Sequence, residues 1–128
     1  MKPFILFAIL FFTIQSGHAA KIQCDDESSF PLITKAELKS AVDAKTAFII
    51  DVNSADSFKE AHVPGAIHYG AHKKDFAKLL PADKNALIVA YCGGVNCVAW
   101  HMAAKVACEL GYTNVKHFKE GISGWKKL

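Results

Sequence analysis

The residues best suited to covalent chemistry lie in one short stretch, Cys92-Gly93-Gly94-Val95-Asn96-Cys97, between an apolar run ending at Tyr91 and an amphipathic run beginning at Val98. A loop that leaves a strand and turns at once into a helix points free N–H groups inward, and together with the helix dipole this favours an anion. The same field stabilises a thiolate, and cysteines so placed titrate one to several pH units below the usual value of about 8.5. Gly93 and Gly94 allow a tight backbone wrap and leave the Cys92 sulfur uncovered by side chains. Burial of a cysteine at a strand end is common, but packing alone is a weak reason for Cys-Gly-Gly at a strand-to-helix switch, where open α/β sheets place their ligands.

The elements that must hold this loop can be read on either side of it. Thr34-Lys35-Ala36-Glu37 has the spacing of a capping box, which predicts a helix from Lys35 to about Val42. Ala47 to Val52 is a short apolar run rich in β-formers, read as a buried strand ending at Asp51-Val52-Asn53. A short helix over Asp56 to Ala61, a Pro64-Gly65 turn and a brief strand over Ala66 to Tyr69 follow. Phe76, Leu79 and Leu80 predict a helix from Lys73 to Leu80, and Leu87 to Tyr91 is the second strong strand. From Val98 to Leu110 the periodicity puts Val98, Ala99, Met102, Ala103, Val106 and Leu110 on one face and His101, Lys105 and Glu109 on the other, with Gly111 as the stop. A third strand over Asn114 to Phe118 and a terminal helical turn over Ile122 to Leu128 complete the chain. Strands alternating with helices predict an α/β fold, a parallel sheet with helices on both faces.

Residues 1–20 read as a secretory signal peptide: Lys2 supplies a positive start, Phe4 to Ile14 is almost unbroken apolar sequence, and Gly17 to Ala20 offers small residues for cleavage. The run is shorter than the 18 to 20 or so apolar residues a membrane span needs, so the expectation is a periplasmic or secreted protein with no membrane attachment after cleavage. Residues 21–31 read as an irregular, acidic lead-in, and residues 32–128 as the domain. The formal net charge is +3, or +2 once Lys2 is removed (3 − 1), too small and too scattered to indicate nucleic acid. No arginine occurs anywhere in the chain, so no bidentate guanidinium clamp can be built. All four cysteines lie beyond the signal, in a compartment where disulfides persist. Cys97 and Cys108, eleven residues apart at opposite ends of a predicted helix, would be about 16 Å apart, beyond bridging distance. The scheme kept is Cys24 with Cys108, leaving Cys92 and Cys97 as a pair or as free thiols.

From about Leu32 to Trp125 the chain resembles a single rhodanese (sulfurtransferase) domain. The family's first signature is matched by Asp51-Val52-Asn53, Ser57-Phe58 and Ala61-His62-Val63-Pro64-Gly65-Ala66, and its six-residue active-site loop by Cys92 to Cys97. Leu110 to Val115 fits its helix-to-strand connection, and Glu120-Gly121-Ile122 with Trp125 its closing turn. The resemblance implies that Cys92 takes a sulfane sulfur as a persulfide and passes it to a thiophilic acceptor such as cyanide or a thiol. The backbone N–H groups of Gly93, Gly94, Val95, Asn96 and Cys97 would hold the extra sulfur's charge, as an oxyanion hole does. The implied partners are a small sulfur-containing substrate or thiol acceptor, and a redox protein partner is conceivable.

Two departures stand out. Cys97 occupies a position where the family usually has arginine or threonine, and Asn53 replaces its usual arginine, which leaves Lys73 or Lys74, or no cation at all, to serve a dianionic donor. Phosphatase relatives of the fold carry arginine six positions after the cysteine, where this chain has Val98. Cys97 fits two roles equally, a resolving thiol that closes a disulfide with Cys92 and releases hydrosulfide, or a small loop-packing residue. A metal site from Cys92, Cys97 and His101 lacks an obvious fourth ligand, and the resemblance implies that neither a metal nor an organic cofactor is needed. Asp51, at a strand end beside the loop, is expected either to bond loop amides or to be structural. His62 is expected to cap the turn before Pro64, His68, His72 and His117 to be surface or strand residues, and Trp100 and Trp125 to be core or rim aromatics. An exported sulfurtransferase, a dithiol/disulfide redox protein and a non-catalytic binding module therefore all remain open.

Overall fold

The structure, a computed structural model, describes residues 23–128. The signal reading of residues 1–20 and the first two lead-in residues fall outside that span. Among the described residues no helix is long and apolar enough to cross a membrane.

Four strands, β1 (Ala47–Asp51), β2 (Ile67–His68), β3 (Leu87–Tyr91) and β4 (Val115–His117), form one all-parallel sheet in the order β2-β1-β3-β4. The central pair is in register along its whole length, from Ala47 opposite Leu87 to Asp51 opposite Tyr91, so both strands end at the same level. Because strand side chains alternate, neighbouring residues serve opposite layers: Ile50, Ile88 and Ala90 join one buried cluster, and Ile49, Val89 and Tyr91 the other. Helix α1 (Lys35–Ala44) contributes Leu38 to the second cluster. The predicted capping box is present: Thr34 Oγ1 accepts from Glu37 N–H at 3.2 Å, and the Glu37 carboxylate accepts from Thr34 N–H at 2.8 Å. Helix α2 (Ala55–Glu60) is capped by the Ser54 side chain, and Ala66 N–H returns to Val63 O at 2.9 Å across Pro64-Gly65, with Gly65 at φ +83°.

Two expectations are corrected. The helix predicted over Lys73 to Leu80 shrinks to a four-residue turn, α4 (Phe76–Leu79), and a second such turn not predicted, α3 (Tyr69–His72), precedes it. Tyr69, Phe76 and Leu80 are buried, but Lys73-Lys74-Asp75 between them is wholly exposed and offers no apolar contact to hold one continuous helix. The helix predicted from Val98 is α5 (Trp100–Glu109), and its buried stripe is Trp100, Ala103, Ala104, Ala107 and Cys108. Val98, Met102 and Leu110, assigned to the apolar face, are exposed. Alanines win the interface because small side chains let the helix backbone lie close to β3 and β4, whereas a hydropathy ranking favours the larger residues. Gly111, at φ +92°, ends the helix as expected, with Tyr112 N–H bonded to Ala107 O and Gly111 N–H to Cys108 O.

The described part of the lead-in is irregular in backbone and packs against the domain. After a 3₁₀ turn at Glu27–Ser29, Phe30 is buried edge-on against Trp100, and residues 31–33 run beside β4. His117 N–H donates to Pro31 O at 2.9 Å, and Ile33 N–H to His117 O at 3.0 Å. A disulfide joins Cys24 to Cys108, as the spacing argument had it. The lead-in thus covers the exposed edge of β4, an edge that would otherwise present unpaired backbone groups.

Candidate active site

Cys92 follows β3 directly and is almost fully buried, 2% exposed, beside Trp100 and the alanines of α5. The loop behind it is longer than the sequence suggested, since α5 starts at Trp100 and Val98-Ala99 form a lead-in turn to it. Helix α6 (Gly121–Lys126) anchors the other side of the loop: Ile122 N–H donates to Cys92 O at 2.9 Å and Ser123 N–H to Gly93 O at 3.0 Å. This approach is possible only because residue 121 is glycine. At φ +59° its backbone is left-handed, and a Cβ there would stand 2.6 Å from Cys92 O and 2.7 Å from Gly94 N.

With its first two carbonyls held by α6, the loop keeps several donors spare. The N–H groups of Gly93, Gly94, Val95 and Asn96 donate to no protein acceptor among the described residues. Cys97 N–H does not join them, because it closes a turn onto Gly94 O at 3.0 Å. Of the five amides expected to form a cradle, four are uncommitted. Cys92 and Cys97 are joined as a disulfide, Cα to Cα 6.2 Å. Unlike Cys92, Cys97 is partly exposed, and it lines a depression of about 280 Å³ together with Leu32, Val95, Val98, Trp100 and Lys119.

Of the two roles expected for Asp51, the structural one fits its contacts. Asp51 bonds no loop amide: one carboxylate oxygen accepts from Tyr91 OH at 2.6 Å and the other from Asn53 N–H at 2.7 Å, all at the ends of β1 and β3. Tyr91 OH in turn accepts from Val63 N–H at 2.9 Å. Burial first, and the adjacent Asp51 carboxylate second, push the Tyr91 phenol well above its ordinary range, so it stays a donor. His62 lies away from the loop, its Nδ1 2.8 Å from Phe58 O and its ring stacked on Phe58, which closes the end of α2. His68 caps α3 by accepting from Ala71 N–H, with its Nε2 2.8 Å from Asn53 O. His101 Nε2 faces Cys24 O at 3.1 Å.

Lys73 and Lys74 sit in the exposed turn between α3 and α4 and line neither depression beside the loop. The cations that do are Lys119 and Lys127. Lys119 escaped the sequence reading because nothing local marks it; it reaches the loop only through the position of β4 at the sheet edge. His117, read as a surface or strand residue, is a buried strand residue whose ring stacks on Trp100 at 3.6 Å. Burial, aided by Lys119, lowers its pKa from 6.5 to about 4. Asn53 was noted only for the arginine it replaces. Its side chain lies beside Gly93, and its Nδ2 is buried without a hydrogen-bond partner among the described residues.

Residues 34–128 match the family described as the rhodanese-like domain. The chain belongs to that family. A thiosulfate sulfurtransferase, GlpE, from Shewanella oneidensis is 27% identical over 99 residues, spanning 77% of this chain and 94% of the relative. Among solved structures, the human single-domain sulfurtransferase TSTD1 superposes with a TM-score of 0.62 at 20% identity, covering 77% of this chain and 98% of that one. The single-domain sulfurtransferase RDL2 of Saccharomyces cerevisiae gives a TM-score of 0.58 at 16% identity, covering 75% and 88%. The two structural likenesses establish the rhodanese-like α/β fold expected from the pattern of strands and helices.

Proposed function

We propose that this rhodanese-like domain is a sulfurtransferase in which Cys92 carries the transferred sulfur. The Cys92 thiolate attacks the sulfane sulfur of a donor, thiosulfate or a small persulfide. The bond from that sulfur to the rest of the donor breaks, with sulfite leaving in the case of thiosulfate, and Cys92 holds a persulfide. A thiophilic acceptor, cyanide or a thiol, then takes the outer sulfur and returns the thiolate. The observation that carries this reading is the placement of Cys92 at the carboxyl end of β3, before four consecutive N–H groups without protein acceptors. Such groups stabilise a thiolate and a persulfide anion by the same electrostatics. With no arginine in the chain, the charge available to a dianionic donor comes from Lys119 and Lys127, as point charges on flexible stems.

The chemistry requires Cys92 reduced. Incubating reduced Cys97→Ser protein, in which no second loop thiol can discharge the adduct, with thiosulfate, and separately with a low-molecular-weight persulfide, is expected to add one sulfur to the Cys92 peptide, read by mass spectrometry, and none when Cys92 is also replaced by serine. Absence of the adduct with both donors would sink the proposal. The export proposal rests on the Lys2, Phe4 to Ile14 and Gly17 to Ala20 pattern. N-terminal sequencing of the mature protein should find a start at residue 20 or 21, and an intact Met1 in the cell envelope would count against it.

A further inference from the structure

The two sulfurs of the loop differ in access. Cys92 is buried at 2% exposure in the cluster that also holds Trp100 and the α5 alanines, while Cys97 opens into the depression lined by Val95, Val98, Trp100 and Lys119. A thiol approaching from solvent therefore meets the disulfide at Cys97. The sulfur that leaves is then Cys92, next to the four uncommitted N–H groups, and a stabilised thiolate is the better leaving group in thiol–disulfide exchange. The rim is mixed: Leu32, Val95 and Val98, three of the exposed large hydrophobic residues, line this depression together with Glu27, Asn96 and Lys119.

Resting on the persulfide reading above, we infer that Cys97 makes this domain a sulfane-sulfur reductase: Cys97 discharges the Cys92 persulfide as hydrosulfide and is the sulfur through which thiol electrons return. In the first step the Cys97 thiolate attacks Cys92 Sγ of the persulfide. The Cys92–sulfane bond breaks, hydrosulfide leaves with the bonding pair, and the Cys92–Cys97 bond forms. The product is the disulfide of this structure, so the sulfurs meet with the fold intact. In the second step a thiol attacks Cys97, giving a mixed disulfide and the Cys92 thiolate. A second thiol equivalent resolves the mixed disulfide and frees Cys97. Across both steps two thiols are oxidised to one disulfide, and one sulfane sulfur is reduced to hydrosulfide. The substrate class is thus a sulfane donor plus a thiol reductant, and the product is hydrosulfide rather than a thiocyanate or a new persulfide.

Two measurements test this. Oxidised protein treated with glutathione in the presence of N-ethylmaleimide should carry glutathione on Cys97 and maleimide on Cys92; the reverse distribution overturns the assignment of attack. Separately, anaerobic reduced protein freed of reductant and exposed briefly to inorganic polysulfide should return as the disulfide with no added sulfur. Cys97→Ser should retain one sulfur on Cys92. A wild-type protein that keeps the added sulfur as Cys97→Ser does overturns the resolving step while leaving the persulfide reading standing. If neither protein gains sulfur at Cys92, the persulfide reading itself fails, and the glutathione measurement still decides the role of Cys97.

Discussion

The two disulfides make opposite contributions to the same sheet. Cys24–Cys108 closes a span of 84 residues and fastens the lead-in to the far end of α5, whereas Cys92–Cys97 closes a span of 5 within one loop. In the chain-entropy description, the first removes about 4–5 kcal/mol of unfolded-state freedom and the second about 2 kcal/mol. Access runs the other way, since Cys108 is packed under the lead-in while Cys97 faces a cleft. One bond belongs to the scaffold and the other to the chemistry, and four experiments can break or sharpen that division.

The largest expected effect is on the scaffold. Replacing Cys24 and Cys108 together by serine should lower unfolding free energy by about 2–5 kcal/mol in oxidising denaturant titrations. Sulfur uptake at Cys92, read in a Cys97→Ser background, should keep the extent it has with Cys24 and Cys108 present, and its loss would show that the two bonds are not separable. Next comes Gly121→Ala, whose new Cβ would collide with the loop backbone at a left-handed φ. A destabilisation of about 2–4 kcal/mol is expected, accompanied by slower alkylation of reduced Cys92, which the scaffold variant should not share. The third concerns His117, which joins the two regions, its backbone pairing the lead-in and its ring stacked on Trp100. Its folded pKa, about 4, lies below its ordinary 6.5. The neutral ring's stability is therefore fully present above about pH 6.5 and is lost as pH falls toward 4, on the order of 2–3 kcal/mol. Melting temperature against pH should decline through that window in the wild type and flatten in His117→Phe. The smallest stability effect, at most about 2 kcal/mol, belongs to Cys97→Ser, the variant expected to change the sulfur chemistry most.

Legibility in the sequence followed how local each cause was. Helix α1 could be read to its first residue because a capping box is written in four consecutive positions, Thr34 to Glu37. Strands β1 and β3 were clear because buried parallel strands are nearly continuous apolar runs. The face of α5 was misread because Ala103, Ala104 and Ala107 carry little hydropathy, and their burial follows from close backbone approach to the sheet. The packing of the lead-in and the role of Lys119 depend on β4 lying at the sheet edge, which nothing near residues 24–33 or 119 announces. For the site itself, Cys92 and Cys97 were visible as a spacing, but their unequal exposure is a tertiary property. The buried Asn53 amide beside Gly93 was hidden for the same reason.

The bond between Tyr91 and Asp51 has a consequence for how this loop can vary. It locks together the last residues of the two central strands, and the α6 amides grip the carbonyls of Cys92 and Gly93 immediately afterwards. Both sides of the first loop residues are therefore set by groups outside residues 94–97. A substitution at Cys97 is therefore expected to leave the strand ends and the α6 contacts in place, with its effect confined to the second half of the loop.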